Sequence, residues 1–178
     1  IHALTREILR SPASINLERQ AAPASGVTQA VYPVSQELKA GLLVALLKTG
    51  SIRDALVFTR TKHRANRLFK HLTREGISAE RIHGNRSQAQ RTKALAGFKN
   101  GHYQVLVATD IAARGIDVKA LGHVVNFDVP AVPDDYIHRV GRTGRAEATG
   151  EALTFVSREE GGDLARIERA VGKQIARV

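Results

Sequence analysis

The chain has 178 residues, 43% of them hydrophobic, which is enough for one domain with its own core. Its formal net charge of +10 points to an anionic partner, nucleic acid first and an acidic membrane surface second. The absence of cysteine excludes disulfides and thiolate metal sites, no apolar run approaches the ~20 residues of a membrane span, and no secretory signal is visible, so a cytoplasmic location is expected.

Aromatic residues make up only 4% of the chain. Aliphatic packing must therefore fill the core, and nucleic acid would be held through phosphate and sugar rather than on a stacking platform. The chain opens on Ile1 and contains no methionine, so it is expected to be a piece of a longer product.

Residues 1–10 carry apolar side chains at helical spacing, and Ser11-Pro12 stops that helix. A short strand is expected over 14–17 and a linker over 20–26, which places a boundary near residue 25. Residues 27–34 are expected to be extended. From there strands and helices alternate. Residues 36–48 predict a helix with Leu38, Leu42 and Leu46 among its apolar positions. Residues 54–59 (DALVFT) are a short apolar run suited to a buried parallel strand. The spacing of Ala65, Leu68, Phe69 and Leu72 predicts a helix over 62–75, ended by Gly76. Strands follow over 79–83, 104–109, 123–127 and 152–156. Helices are expected from the Ser87 cap to about 99, over 134–142, and over 159–171. Repeated β-then-α units imply an open parallel sheet with helices on both faces, an α/β fold forming a single domain over 26–178 with an N-terminal arm over 1–25. Ligands in such sheets bind at the carboxyl ends of the strands.

Three segments at those ends, and a fourth beside them, carry unusual chemistry. In Thr59-Arg60-Thr61-Lys62, two hydroxyls and two cations sit at a helix start, suited either to an anion or to plain helix capping. In the segment 83–91 (HGNRSQAQR), Gln88 and Arg91 lie three apart on a first turn, where both could face one phosphate or form a cap beside a surface arginine. In 108–118 (ATDIAARGIDV), the aspartates could accept from sugar hydroxyls or hold arginines in place, and their spacing is a weak metal-ligand set. The fourth segment is 136–145 (YIHRVGRTGR), where Arg139, Arg142 and Arg145 recur every third residue. On a helix that spacing fans three guanidinium groups over about a third of the circumference. Such a fan is either a phosphate reader or a solvated basic helix end. His138 lies inside it, and a lone histidine is more often a hydrogen-bonded structural residue than a catalytic base. No G-x-x-x-x-G-K-[ST] occurs, and no strand ends in paired acidic residues for Mg²⁺. These arginines thus suit a nucleoside triphosphate held elsewhere.

Together the segments resemble the carboxyl-terminal RecA-like lobe of DEAD-box ATP-dependent RNA helicases. The pieces LVFTRTK (56–62), HGNRSQAQR, ATDIAARGID, VVNFDVP (124–130) and YIHRVGRTGR stand in that family's order and at its spacings. The His138-Arg139 pair has the DEAD-box form rather than that of the DEAH relatives, and the general look is bacterial. Residues 1–20 resemble the closing helix and strand of the family's amino-terminal lobe.

The resemblance implies that Arg142 and Arg145 are catalytic fingers reaching the γ-phosphate of ATP on the other lobe. It implies that Asp117 contacts the ribose, and that Arg114, within the Arg114-Gly115 part of the nucleotide site, joins the lobes or holds the finger network. His138 would link the lobes, and Arg139 would be a structural or interlobe contact. Thr59, Arg60, Gly84, Arg91 and Thr109 would hold the RNA backbone, with Gln88 positioning Arg91. ATP is the implied cofactor, its Mg²⁺ held by the amino-terminal lobe of the same polypeptide. RNA and that lobe are the implied partners, and no membrane is. Two other readings stand beside this one. A DNA helicase or translocase lobe would be distinguished by ATPase stimulation with DNA against RNA. A free-standing basic RNA-binding module would be distinguished by an open reading frame that does not extend upstream to a phosphate loop.

Overall fold

The computed structural model describes residues 26–113, 121–144 and 149–178. Within them the strands are β1 (Val27–Pro33), β2 (Ala55–Phe58), β3 (Ala79–Ile82), β4 (Val105–Ala108), β5 (His123–Asn126), β6 (Gly150–Val156) and β7 (Ala176–Arg177). The helices are α1 (Lys39–Lys48), α2 (Lys62–Arg74), α3 (Gln88–Lys99), α4 (Asp110–Ala113), α5 (Pro133–Val140) and α6 (Gly161–Val171). One sheet runs β3-β4-β2-β5-β6-β1-β7 with every neighbouring pair parallel. This is the open parallel α/β sheet that the alternation predicts.

Side-chain alternation along each strand decides which helices cover which face. Val57, Val107, Val125, Leu153 and Phe155 pack beneath α1 and α2. Leu56, Phe58, Leu106 and Val124 face the opposite way, onto Ala94 and Phe98 of α3. On that same side Ala152 and Val156 meet Tyr136 and Val140 of α5 and Leu164 and Ile167 of α6. Because both faces are covered, the central strands read as unbroken apolar runs: all four residues of β2 and of β4 are buried.

Local chemistry sets the helix starts. The Thr61 hydroxyl accepts from Arg64 N at 3.2 Å and opens α2. At α3, Ser87 Oγ accepts from Gln90 N while the Gln90 side chain accepts from Ser87 N, a reciprocal cap that satisfies two free amides. Gly76, at φ +80°, turns the chain out of α2 in the left-handed conformation that a side chain would disfavour.

Four expectations shift. The helix predicted from residue 36 begins at Lys39, and its buried stripe is Lys39, Leu43, Val44 and Leu47, while Leu38 is 64% exposed. A lysine takes the innermost first-turn position because its ammonium finds acceptors inside. The helix predicted to run to residue 142 ends at Val140 with Gly141 as its cap, so Arg142 lies outside it. Strand β7 carries no apolar run. It forms because Glu168 on α6 accepts from Ile175 N at 2.8 Å and pairs with Arg177. The short helix α4 sits in a stretch expected to be a loop.

His83, the residue that follows β3, is buried. Its Nε2 lies 3.1 Å from Asn66 Oδ1, and its Nδ1 accepts from Asn85 N at 3.3 Å. Only the neutral ring with the proton on Nε2 satisfies both contacts. Burial pushes its pKa below the ordinary 6.5, and Arg81, Arg86, Lys62 and His63 push the same way. Because the folded pKa is the lower one, the unfolded chain binds the proton first as pH falls. The stability due to neutral His83 is therefore present above about pH 6.5 and lost below it, by at most about 1.4 kcal/mol per pH unit. Urea unfolding midpoints should fall between about pH 7 and pH 5. The fall should be shallower in His83→Gln, and an identical slope in the two proteins would contradict this assignment.

Candidate functional site at the carboxyl edge of the sheet

The loops after β2, β3, β4 and β5 gather at one edge, and Arg139 of α5 ties together those after β2, β4 and β5. The residue is 2% exposed. Its Nε and one terminal nitrogen grip Asp110 Oδ1 and Oδ2 at 2.6 and 2.8 Å. The other terminal nitrogen donates to Asn126 Oδ1 at 3.2 Å and to the Asp128 carbonyl at 2.7 Å. The guanidinium carbon stands 5.0 Å from the centre of the Phe58 ring. Asn126 in turn donates to Thr154 Oγ1 at 3.1 Å. One side chain thus links the end of β2, the start of α4, the end of β5 and, through Asn126, β6. A planar guanidinium can do this because its donors point along fixed, separate directions. Of the two uses open to the aspartates, Asp110 is seen holding an arginine.

Asp128 forms the next knot. It is fully buried, and its Oδ2 accepts from Arg60 N at 2.8 Å while Arg64 approaches Oδ1 at 3.3 Å. The Arg60 side chain reaches the Val129 carbonyl at 2.8 Å and Asp163 at 3.0 Å. Beneath this knot the buried Lys39 ammonium donates to the carbonyls of Phe127 and Phe155 at 2.9 Å and to Glu160 Oε2 at 2.5 Å. Glu160 also accepts from Val129 N and Ser157 N. Burial pushes the Lys39 pKa down, and Glu160 opposes that shift. The pair is tolerated because every polar atom in it has a partner.

Beyond α5 the chain is pinned again. Thr143 is buried and donates its hydroxyl to the carbonyl of Leu121. Gly144 follows at φ +66°. Arg142, between the two pins, is half-buried, and its Nε donates to the His138 carbonyl at 3.2 Å. It borders a small cavity with Asp110, Asp135 and the exposed His138. Of the expected fan, the two described arginines do not share a helix: Arg139 is an interior clasp and Arg142 sits past the helix end. Equal spacing along the sequence does not give equal surroundings once the helix stops.

Gly150 packs directly against this segment. A Cβ there would fall 1.9 Å from Thr143 Oγ1 and 2.7 Å from Gly144 N, and the second of these is backbone that cannot turn aside. Gly150→Ala is expected to destabilise the chain by about 1–3 kcal/mol and to displace the Arg142 segment. Gly161→Ala, where nothing lies within 4 Å of the new carbon, should change little. Urea titration of both variants checks the contrast.

On the other side of the site, Arg91 donates to Gln88 Oε1 at 3.1 Å and to the Ala112 carbonyl at 3.3 Å. The expected Gln88–Arg91 partnership is thus present. Gly84 is exposed with open space above it, and Thr109 is half-buried beside α4. Thr59 takes part in the Thr59-Arg60 turn through its backbone. It is fully buried and its hydroxyl turns to the Thr61 carbonyl, so the side chain braces the turn rather than facing a ligand. Arg114, Gly115, Asp117 and Arg145 lie outside the described residues.

Sequence reasoning missed Lys39, Glu160, Asn126, Asp128 and Thr143. Only Asp128 offered a signal, as a lone carboxylate after an apolar strand. Among the described residues no group of three or more acidic or histidine side chains could hold a metal ion, and no helix is long and apolar enough to cross a membrane.

An open, all-parallel sheet with helices on both faces is the fold of the RecA-like carboxyl-terminal domain of DEAD-box proteins. The chain belongs to the family of helicase conserved C-terminal domains, which matches residues 38–147, in the form carried by DEAD-box proteins. It is 39% identical over all 178 residues to the DEAD-box ATP-dependent RNA helicase CshA of Geobacillus kaustophilus, and spans 38% of that relative's length. The figures for CshA of Bacillus subtilis are 40% and 36%. Among solved structures, S. cerevisiae Dbp5 bound to RNA and ADP BeF3 superposes with a TM-score of 0.86 at 29% identity, over 99% of this chain and 48% of that one. E. coli SrmB bound to regulator of ribonuclease activity A gives 0.78 at 34% identity, over 87% of this chain and 91% of that one.

Proposed function

We propose that this chain forms the carboxyl-terminal half of the active site of an ATP-dependent RNA helicase. Arg142 and Arg145 act as fingers on ATP held by a second RecA-like lobe. Arg60, Gly84, Arg91 and Thr109 hold the RNA backbone, with Gln88 orienting Arg91 and Thr59 bracing the turn from within. Arg114, Gly115 and Asp117 complete the nucleotide side, and His138 meets the second lobe. Arg139 holds the loops in register from the interior.

The observation that carries this reading is the double pinning of the arginine segment. Arg139 fixes its start and Thr143 its end, so Arg142 is presented at the carboxyl edge with little freedom to lose. Guanidinium donors fit phosphoryl oxygens. In this reading the Mg²⁺ that accompanies ATP is held by the second lobe. When the lobes close, the fingers neutralise charge that develops on the transferring phosphoryl group. The same closure presses a single strand against both lobes, and backbone contacts make that binding salt-dependent and nearly indifferent to sequence. The location consistent with this role is the cytoplasm.

A chain that holds only half of the site should not turn over ATP. RNA-stimulated hydrolysis by residues 1–178 alone is expected to be undetectable, and to appear when the amino-terminal lobe is restored. Robust turnover by the isolated chain would exclude the proposal. Equal stimulation of the restored enzyme by DNA of the same length would point instead to a DNA translocase.

A further inference from the structure

Helices α1 and α2 lie side by side on one face of the sheet, and a groove of about 380 Å³ opens between them. Its floor is apolar, formed by Ala40, Leu68 and the ring of Phe127. That ring is held in place: Phe155 stands 6.3 Å away, and the Lys39 ammonium lies 6.0 Å from the ring centre while binding the Phe127 carbonyl. A floor so fixed loses little freedom when something docks on it.

The α2 wall is cationic. Arg64, Arg67 and His71 fall at i, i+3 and i+7, on one face of the helix. Arg64 leans toward the buried Asp128 at 3.3 Å. Arg67 is exposed, and its guanidinium has no hydrogen bond or ion pair among the described residues. Past Arg64 and Glu37 the groove continues into a second hollow of about 790 Å³, bordered by Arg60, Arg158 and Glu159.

The geometry points to this groove as the docking site for a linear, acidic segment of a partner protein. An apolar side chain of that segment rests on Phe127 and Leu68, and flanking carboxylates face Arg64 and Arg67. A carboxylate meets a guanidinium two oxygens to two N–H groups. A nucleic-acid strand fits the groove less well. The apolar floor of Ala40, Leu68 and Phe127 offers nothing to a phosphate-sugar backbone, and no exposed aromatic ring lines either hollow to stack on a base. This inference does not rest on the helicase reading, since none of the proposed fingers touches the groove.

The test is selection of random peptides of about twelve residues, displayed on phage, against this chain, with the Arg67→Glu chain as counter-selection. The recovered peptides should carry a leucine, isoleucine, phenylalanine or tryptophan within a few residues of at least two acidic residues. A fluorescein-labelled synthetic copy should bind the chain and lose about tenfold or more in affinity, or about 1.4 kcal/mol, to Arg67→Glu. It should lose a similar factor to Ala40→Arg, which fills the groove from the other helix. Fluorescein-labelled oligo(U) should bind both variants as it binds the parent. Recovery of peptides without acidic residues, or binding that survives both substitutions, overturns the proposal. So does oligo(U) affinity that falls in step with peptide affinity, which would place the groove on the RNA path.

Discussion

Replacing Arg142 by alanine in the enzyme with both lobes should lower the rate of RNA-stimulated ATP hydrolysis by about 10³-fold or more. RNA affinity at fixed salt should stay within about threefold of the parent, because the residues proposed to hold the RNA phosphates lie on other loops. The physical basis is differential: a finger acts on charge that develops in the transition state and contributes little to holding either ligand in the ground state. Arg142→Lys should recover only part of the loss, since an ammonium keeps the charge without the planar pair of donors. Single-turnover hydrolysis and fluorescence anisotropy with labelled RNA, on the same preparations, separate the two quantities. A proportionate fall in both would mean that Arg142 is an RNA contact.

Arg139 should behave in the opposite way, although it lies only three residues earlier. Arg139→Leu is expected to cost about 3–5 kcal/mol of stability in urea unfolding of this chain. The substitution strands Asp110, Asn126 and the Asp128 carbonyl, which the guanidinium now satisfies from one interior position. Arg139→Lys should recover little of this, because one ammonium cannot reach acceptors on three separate elements. Combining Arg139→Leu with Asp110→Asn should cost less than the sum of the two single changes, since each leaves the same contact unmade. Strictly additive losses would show that the clasp is not a coupled unit. Arg142→Ala, which removes a half-buried side chain past the helix end, should leave the unfolding midpoint within about 0.5 kcal/mol of the parent.

The candidate site was partly legible because its chemistry is local. Gln88 and Arg91 lie one helical turn apart, so their contact follows from spacing and from the Ser87 cap that starts the helix. The carboxyl-edge loops follow from the strand–helix alternation. The direction of the Thr59 hydroxyl was not legible, because a threonine at a helix start looks the same whether its hydroxyl faces solvent or, as here, the chain's own Thr61 carbonyl.

By itself, then, the sequence determined the parallel α/β sheet, most of its strands and helices, the edge on which the loops gather, and the basic character of the arginine segment. These depend on apolar periodicity, capping residues and charge, which act over a few residues. Tertiary structure decided which arginine faces inward. Arg139 finds Asp110, Asn126 and the Asp128 carbonyl, 29, 13 and 11 residues away in the chain, and that long-range satisfaction outweighs the cost of burying a charge. Lys39 is buried for the same reason, with a carboxylate 121 residues distant. Spacing along a helix cannot reveal such partners, because they come from strands brought together only when the sheet forms.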